Sequence, residues 1–152
     1  RMLYDFAQAG DFDCFLLAGR YSLLDQSGME DLLPLAASKG ISILAGGVYN
    51  SGILADPDGQ AKFNYQDAPH ELIEKARALR DVCQNHGVDL KAAAMQFPTG
   101  HAAVTHVLTG ARTAAELAEN AAMYSADIPV ALWSDLRASG LVAESVPLPG
   151  AA

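Results

Sequence analysis

The sequence predicts an α/β fold built on a parallel sheet, and three observations carry that prediction. Short apolar runs alternate with amphipathic stretches along the chain. The runs are separated by segments long enough for the crossovers that parallel strands need. Glycines end two of the runs, at Gly46-Gly47 and at Gly110, where a strand passes into a loop. With 152 residues the chain fits one domain, and a hydrophobic content of 51% is too high for a disordered segment.

Met2 to Ala9 has helical composition. The chain starts directly on it at Arg1, without a leading Met, and so reads as a piece whose N-terminal portion is absent. Phe12 to Ala18 (FDCFLLA) is a nearly continuous apolar run, which predicts a strand buried on both faces. Met29 to Lys39 predicts a helix kinked at Pro34 and closed by Gly40. Ile41 to Gly47 is the second buried strand. Asp56 to Gln66 is polar and the longest irregular stretch, and long loops in compact domains are often functional. Pro69 to His86 is the clearest helix: Leu72, Ala76, Leu79 and Cys83 recur at helical spacing, Asp67 is placed to cap it, and Gly87 suits a left-handed C-cap. Glu71 and Lys75 add a favourable pair four residues apart. Leu90 to Phe97 is an alanine-rich helix and Thr105 to Thr109 a third strand. Thr113 to Tyr124 is a helix opened by the T-x-x-E box of Thr113 and Glu116. Pro129 and Gly140 frame a last helix, Val130 to Ser139, with Trp133 as a packing anchor. Residues 144–152, rich in Pro and Ala, are expected to form a flexible tail, leaving residues 1–143 as the folded part.

Three strands are few for a sheet covered on both faces. The pattern fits either a small three-layer α/β domain or the C-terminal part of a (β/α)8 barrel, which in full needs eight strands and roughly 250 residues.

Charge and cysteine content narrow the function. The net charge is −8 with only 10 Lys and Arg, which argues against a nucleic-acid or anionic-membrane binder. No apolar run approaches the ~18 residues of a membrane span, and no basic-then-apolar leader opens the chain. Cys14 and Cys83 cannot build a disulfide framework and suit a reduced, cytoplasmic setting with both thiols buried.

In parallel α/β folds, ligands bind beyond the carboxyl ends of the strands. Two such ends stand out. Gly46-Gly47-Val48-Tyr49-Asn50-Ser51-Gly52 carries three glycines in seven residues, which lets backbone N–H groups approach a phosphate, or else makes an ordinary turn. It lacks the G-x-G-x-x-G dinucleotide fingerprint. Thr109-Gly110-Ala111-Arg112-Thr113 opens a helix, where free N–H groups, the positive dipole end and the Arg112 fork suit a phosphate; the alternative is a capped helix with Arg112 in water. His70, His86, His101 and His106 show no metal-ligand spacing and read as surface or turn residues. Ser22 and Ser51 lack a nucleophile elbow. Asp25 either positions a substrate or caps a turn. No residues form an acid/base pair.

Three blocks taken together carry a resemblance. They are D-x-x-L-L-A-G-R-Y-S-L-L-D-Q (Asp13 to Gln26), S-K-G-I-S-I-L-A-G-G-V-Y-N-S-G-I-L-A (Ser38 to Ala55) and H-A-A-V-T-H-V-L-T-G-A-R-T-A-A-E-L-A-E-N (His101 to Asn120). In order and spacing they resemble the aldo/keto reductase superfamily, nearest to its bacterial aldose 1-dehydrogenase branch. The resemblance implies strands six to eight of a (β/α)8 barrel that binds NAD or NADP without a Rossmann domain. It implies that Gly46 to Ser51 border the cofactor pyrophosphate and that Gly110, Ala111 and Arg112 lie near the adenosine ribose or its phosphate. Glu119 and Asn120 would face the adenine. It further implies hydride transfer to the cofactor from a small sugar or aldehyde substrate.

The chain departs from the family pattern in four places. An aromatic residue that stacks on nicotinamide in many relatives corresponds to Gly46, and a Gln after strand six corresponds to Ala18. A basic residue of NADP-preferring members corresponds to Glu116, which favours NAD. The family's catalytic Asp, Tyr, Lys and His belong to the first four strands, which the resemblance does not find here. This chain alone is therefore expected to be inactive, and to pair with the missing N-terminal half or to self-associate. The other reading is a non-catalytic nucleotide-binding or protein-interaction module.

Overall fold

A computed structural model describes residues 1–150. Three strands form a parallel sheet in the order β1-β2-β5: β1 (Cys14–Ala18), β2 (Ser42–Gly46) and β5 (Val104–Leu108). Register pairs Leu16 with Leu44 and Ala18 with Gly46. On the other side of β2, Leu44 pairs with His106 and Gly46 with Leu108, past an irregularity at Ile43/Leu44. All three strands therefore end at one edge of the sheet, as the alternating pattern predicts.

Six helices connect and cover the sheet: α1 (Met2–Ala9), α2 (Leu32–Lys39), α3 (His70–Asn85), α4 (Leu90–Gln96), α5 (Ala114–Ser125) and α6 (Val130–Ala138). α1 packs on α2, α2 on β2, and α3 on both α4 and α6. Their apolar faces meet Phe15, Leu17, Ile43 and Ala45 from one face of the sheet in a single core that also holds Phe97, Leu132, Trp133 and Leu136. Gly40 and Gly87 end α2 and α3 with left-handed φ of +68° and +67°, where an L side chain is disfavoured.

Several expectations are corrected. β1 is not buried on both faces: Phe15 and Leu17 are covered, while Cys14, Leu16 and Ala18 alternate to an exposed face. Cys14 is accordingly exposed and only Cys83 is buried. Pro34 stands at the third position of α2, in the first turn, where its missing N–H breaks no helical hydrogen bond, so a kink is not required. Asp67 does not cap α3. It belongs to a two-stranded hairpin, β3 (Lys62–Phe63) with β4 (Gln66–Asp67), which occupies the end of the stretch read as irregular and runs one residue past it. The stretch expected to fray is packed over residues 144–150: Val146 and Leu148 are buried and the Arg137 guanidinium donates to the Val146 carbonyl at 2.6 Å. Residues 151–152 lie outside the described residues. His101 is a buried core histidine whose Nδ1 accepts from the Ala103 N–H at 3.1 Å, not a surface residue. Among the described residues no helix is long and apolar enough to cross a membrane.

Candidate functional site

The chain leaves β2 through a turn built on left-handed backbone. Gly47 (φ +64°), Asn50 (+46°), Ser51 (+60°) and Gly52 (+103°) all occupy the region that glycine prefers. At Gly47 the reason is close approach: a Cβ would stand 3.2 Å from the Gly19 nitrogen, and Gly19 donates to the Gly46 carbonyl at 2.8 Å. The ends of β1 and β2 are thereby locked together. Asn50 is buried and its amide donates to the Gly19 carbonyl at 3.3 Å. Its Oδ1 is buried without a partner among the described residues. The Ser51 Oγ accepts from the Tyr65 N–H, at the hairpin tip, at 3.1 Å.

β5 supplies the second wall. Thr113 caps α5, its Oγ1 accepting from the Glu116 N–H at 3.1 Å. The other half of the expected capping box is displaced by one residue: the Glu116 carboxylate accepts from the Arg112 N–H (2.7 Å) and from the Arg112 guanidinium (2.8 and 3.2 Å). Arg112 holds the Glu116 carboxyl below the usual carboxylate range, and Glu116 raises Arg112 in turn. The two walls meet at Asn120. Its Oδ1 accepts from the Tyr49 hydroxyl at 3.4 Å, and its amide donates to Thr109 Oγ1 and the Gly110 carbonyl, each at 3.4 Å. Burial pushes the Tyr49 hydroxyl up to about 12, reinforced by the charges of Glu119 and Asp89, so at neutral pH it stays a neutral donor. Glu119 is also ion-paired with Lys91, at the start of α4.

Two adjoining clefts result. One, of about 250 Å³, runs between the Gly47–Gly52 turn and Leu108–Gly110, with Tyr65 on its rim. The other, of about 290 Å³, lies between Tyr49, Lys91 and the Gly110–Asn120 segment, and the two share Tyr49 and Gly110. Most of the sequence-marked residues thus come together: Gly47, Tyr49, Asn50, Ser51, Gly110, Arg112, Glu116, Glu119 and Asn120. Val48 turns its side chain into the core and offers the cleft backbone only. Gly46 sits within β2, where a Cβ would stand 3.1 Å from Leu16 Cδ1. Ala111 is an exposed spacer between Gly110 and Arg112. Asp25 belongs to a turn: it accepts from the Ser27 N–H at 2.9 Å and from Arg20 at 2.8 Å. Sequence reasoning misses Lys91 and Tyr65. No motif marks the first, and the hairpin that carries the second lacks the Asn-Gly signal of a tight turn.

The aldo/keto reductase family model matches residues 3–139. The chain belongs to the aldo/keto reductase family. Among the relatives of this family member, pyridoxal 4-dehydrogenase of Microbacterium luteolum is 45% identical over 93% of the chain and 42% of its own length. D-threo-aldose 1-dehydrogenase of a Pseudomonas species is 37% identical over 87% of the chain and 41% of its own length. The chain thus spans about two fifths of the length of these curated relatives. An aldo-keto reductase of Bacillus halodurans, in its apo form, superposes with a TM-score of 0.70 at 20% identity, over 95% of this chain and 48% of that one. Its holo form gives 0.67.

Proposed function

We propose that this chain is the cofactor-binding part of an NAD(P)-dependent aldo/keto reductase-type dehydrogenase, corresponding to the last three strands of a (β/α)8 barrel and the helices after them. The whole protein oxidises an aldose or a similar small hydroxyl compound; the relatives named for pyridoxal and for D-threo-aldose support that substrate class. One observation carries the reading. The two glycine-bearing strand ends form neighbouring walls of one groove, joined by the Tyr49–Asn120 hydrogen bond at 3.4 Å.

The residues present suit a dinucleotide. Gly52 and Gly110 have open space where a side chain would stand, so bare backbone lines the groove for a pyrophosphate. Arg112 and the start of α5 offer donors for a ribose phosphate. The Arg112 guanidinium is already engaged by Glu116, so an extra 2′-phosphate meets a neutralised pair, which favours NAD over NADP. When bound, the nicotinamide supplies the hydride acceptor. The family resemblance assigns the acid/base group of the reaction to the part of the relatives' length that this chain does not span; in the groove itself Lys91 is engaged by Glu119 and burial keeps the Tyr49 hydroxyl protonated.

Titration of the protein with NADH and NADPH, followed by cofactor fluorescence, tests this. Saturable binding, tighter for NADH and weakened in Asn120→Ala, is the expected result. The 152-residue chain by itself turns over neither L-fucose nor D-arabinose. Absence of saturable binding, or enzyme-like turnover by this chain alone, would refute the assignment.

A further inference from the structure

The hairpin between β2 and α3 is not used by the function proposed above, and its tip is unusual. β3 and β4 pair Lys62 with Asp67 and Phe63 with Gln66, leaving Asn64 and Tyr65 as a two-residue turn with φ of +51° and +65°. Turns of this left-handed kind take Asn readily at the first position and Gly at the second. Tyr65 fits neither preference, since a bulky residue at such a φ is a genuine outlier. Its side chain is not compensated by packing, for Tyr65 is 90% exposed. The base of the hairpin is anchored instead: Phe63 packs on the core and the Ala68 N–H donates to the Ala61 carbonyl at 3.0 Å. The tip is fixed by the Tyr65 N–H donating to Ser51 Oγ at 3.1 Å, which holds the residue on the rim of the cleft formed by the Gly47–Gly52 turn and Leu108–Gly110. An outlier of this sort, costly to the turn and useless to the core, points to a task at the site it borders.

Resting on the dinucleotide reading above, we infer that Tyr65 is a ring-binding residue: its phenol face stacks on a planar heteroaromatic ring of the bound cofactor. The chemistry needs a flat π face, open on one side, held at the mouth of a groove whose walls take the charged parts of the ligand. The adenine and the nicotinamide share that chemistry.

Two substitutions in the protein separate this role from a structural one. Tyr65→Gly removes the ring, keeps the N–H that reaches Ser51, and places at φ +65° the residue the turn prefers. It is expected to unfold at the same temperature as the parent or higher, yet to bind NADH roughly 5- to 100-fold more weakly, the range that loss of one aromatic stacking partner produces. Tyr65→Phe keeps the ring and the parent affinity. Parallel titrations with AMP and with reduced nicotinamide mononucleotide identify the ring, because only the half that stacks loses affinity in Tyr65→Gly, and a loss in either supports the inference. Undiminished NADH binding by Tyr65→Gly, while the parent protein binds NADH, overturns the inference and leaves the dinucleotide reading standing. Failure of the parent protein to bind NADH removes both.

Discussion

Glu116 shows how one side chain can set the character of a site. Its backbone N–H is capped by Thr113, and its carboxylate folds back onto Arg112 instead of onto the capping residue. The arrangement keeps a cation at the start of α5 but cancels its charge. Since the folded carboxyl is held low by Arg112, the pair is intact above the ordinary carboxylate pKa and is lost only as pH falls through that lowered value. At neutral pH it is fully formed. Replacing Glu116 with Gln frees the guanidinium, and the expected outcome is a rise in NADPH affinity relative to NADH, measured by paired titrations. An unchanged ratio would show that Arg112 does not face the ribose. The T-x-x-E pattern makes the Thr113 cap legible in the sequence, but not the Arg112–Glu116 pair, because the same pattern leaves Arg112 equally suited to a phosphate or to water. The Asn120 clamp is not legible: its partner Tyr49 lies 71 residues away and meets it only through adjacent parallel strands. Lys91 escapes notice for the same reason, since Glu119 reaches it from another helix.

At the scale of elements, hydrophobic period and glycine punctuation locate the strands of the main sheet and the helices of the described residues, with ends shifted by up to three residues. The misses have a common cause, which is that neighbours in space outrank local pattern. FDCFLLA is apolar enough for a strand covered on both sides, yet only the Phe15–Leu17 side meets helices. Asp67 has a capping side chain, but the hairpin claims its backbone and Pro69 takes the N-cap position of α3. The tail has a loop's composition, but Val146 and Leu148 find the core. Gly100, in the 3₁₀ turn before β5, makes that docking possible. A Cβ there would stand 2.7 Å from both the Pro147 oxygen and the Leu148 carbonyl carbon, which are backbone atoms that a side-chain rotation cannot move away. Gly100→Ala is therefore expected to cost about 1–3 kcal/mol, as forced overpacking does. That is a fall of roughly 2–12 °C in Tm by calorimetry, at about 2–4 °C per kcal/mol for a chain of this size. An unchanged Tm would show that the tail does not need this seat. The tail docks beside the segment that enters β5, whereas the groove proposed for the dinucleotide lies where β5 ends, so Gly100→Ala should leave NADH affinity intact.

The whole molecule has one sheet face dressed by helices and one left open. Cys14, Leu16 and Ala18 of β1 stand on the open face, and Leu16 is 51% exposed. Leu108, at the end of β5, is 50% exposed, and near the other edge Phe12 is 44% exposed. Leu17 and Ile43, on the other face, are covered by helices and add nothing to the exposed apolar surface. Leu16, Leu108 and Phe12 are already about half covered, so covering the rest contributes roughly 0.7–1.5 kcal/mol each, about 2–5 kcal/mol together, a sizeable share of the ~5–15 kcal/mol that holds a domain together. The outer backbone edges of β1 and β5 add unpaired groups that invite further strands. The 152-residue chain alone is therefore expected to self-associate, and its open face to be covered in a protein that supplies the remaining strands. Cys14 reports on both states. On a separated chain it should react with a thiol reagent, while the buried Cys83, whose thiol burial pushes up to about 12, stays protected until the chain unfolds. In a protein that supplies the remaining strands of the proposed barrel, neither thiol should react. Light scattering on the separated chain at low micromolar concentration completes the test. A compact monomer that unfolds cooperatively, binds no hydrophobic dye and reacts at Cys14 would mean that the open face needs no cover, and that these three strands form a small α/β domain in their own right.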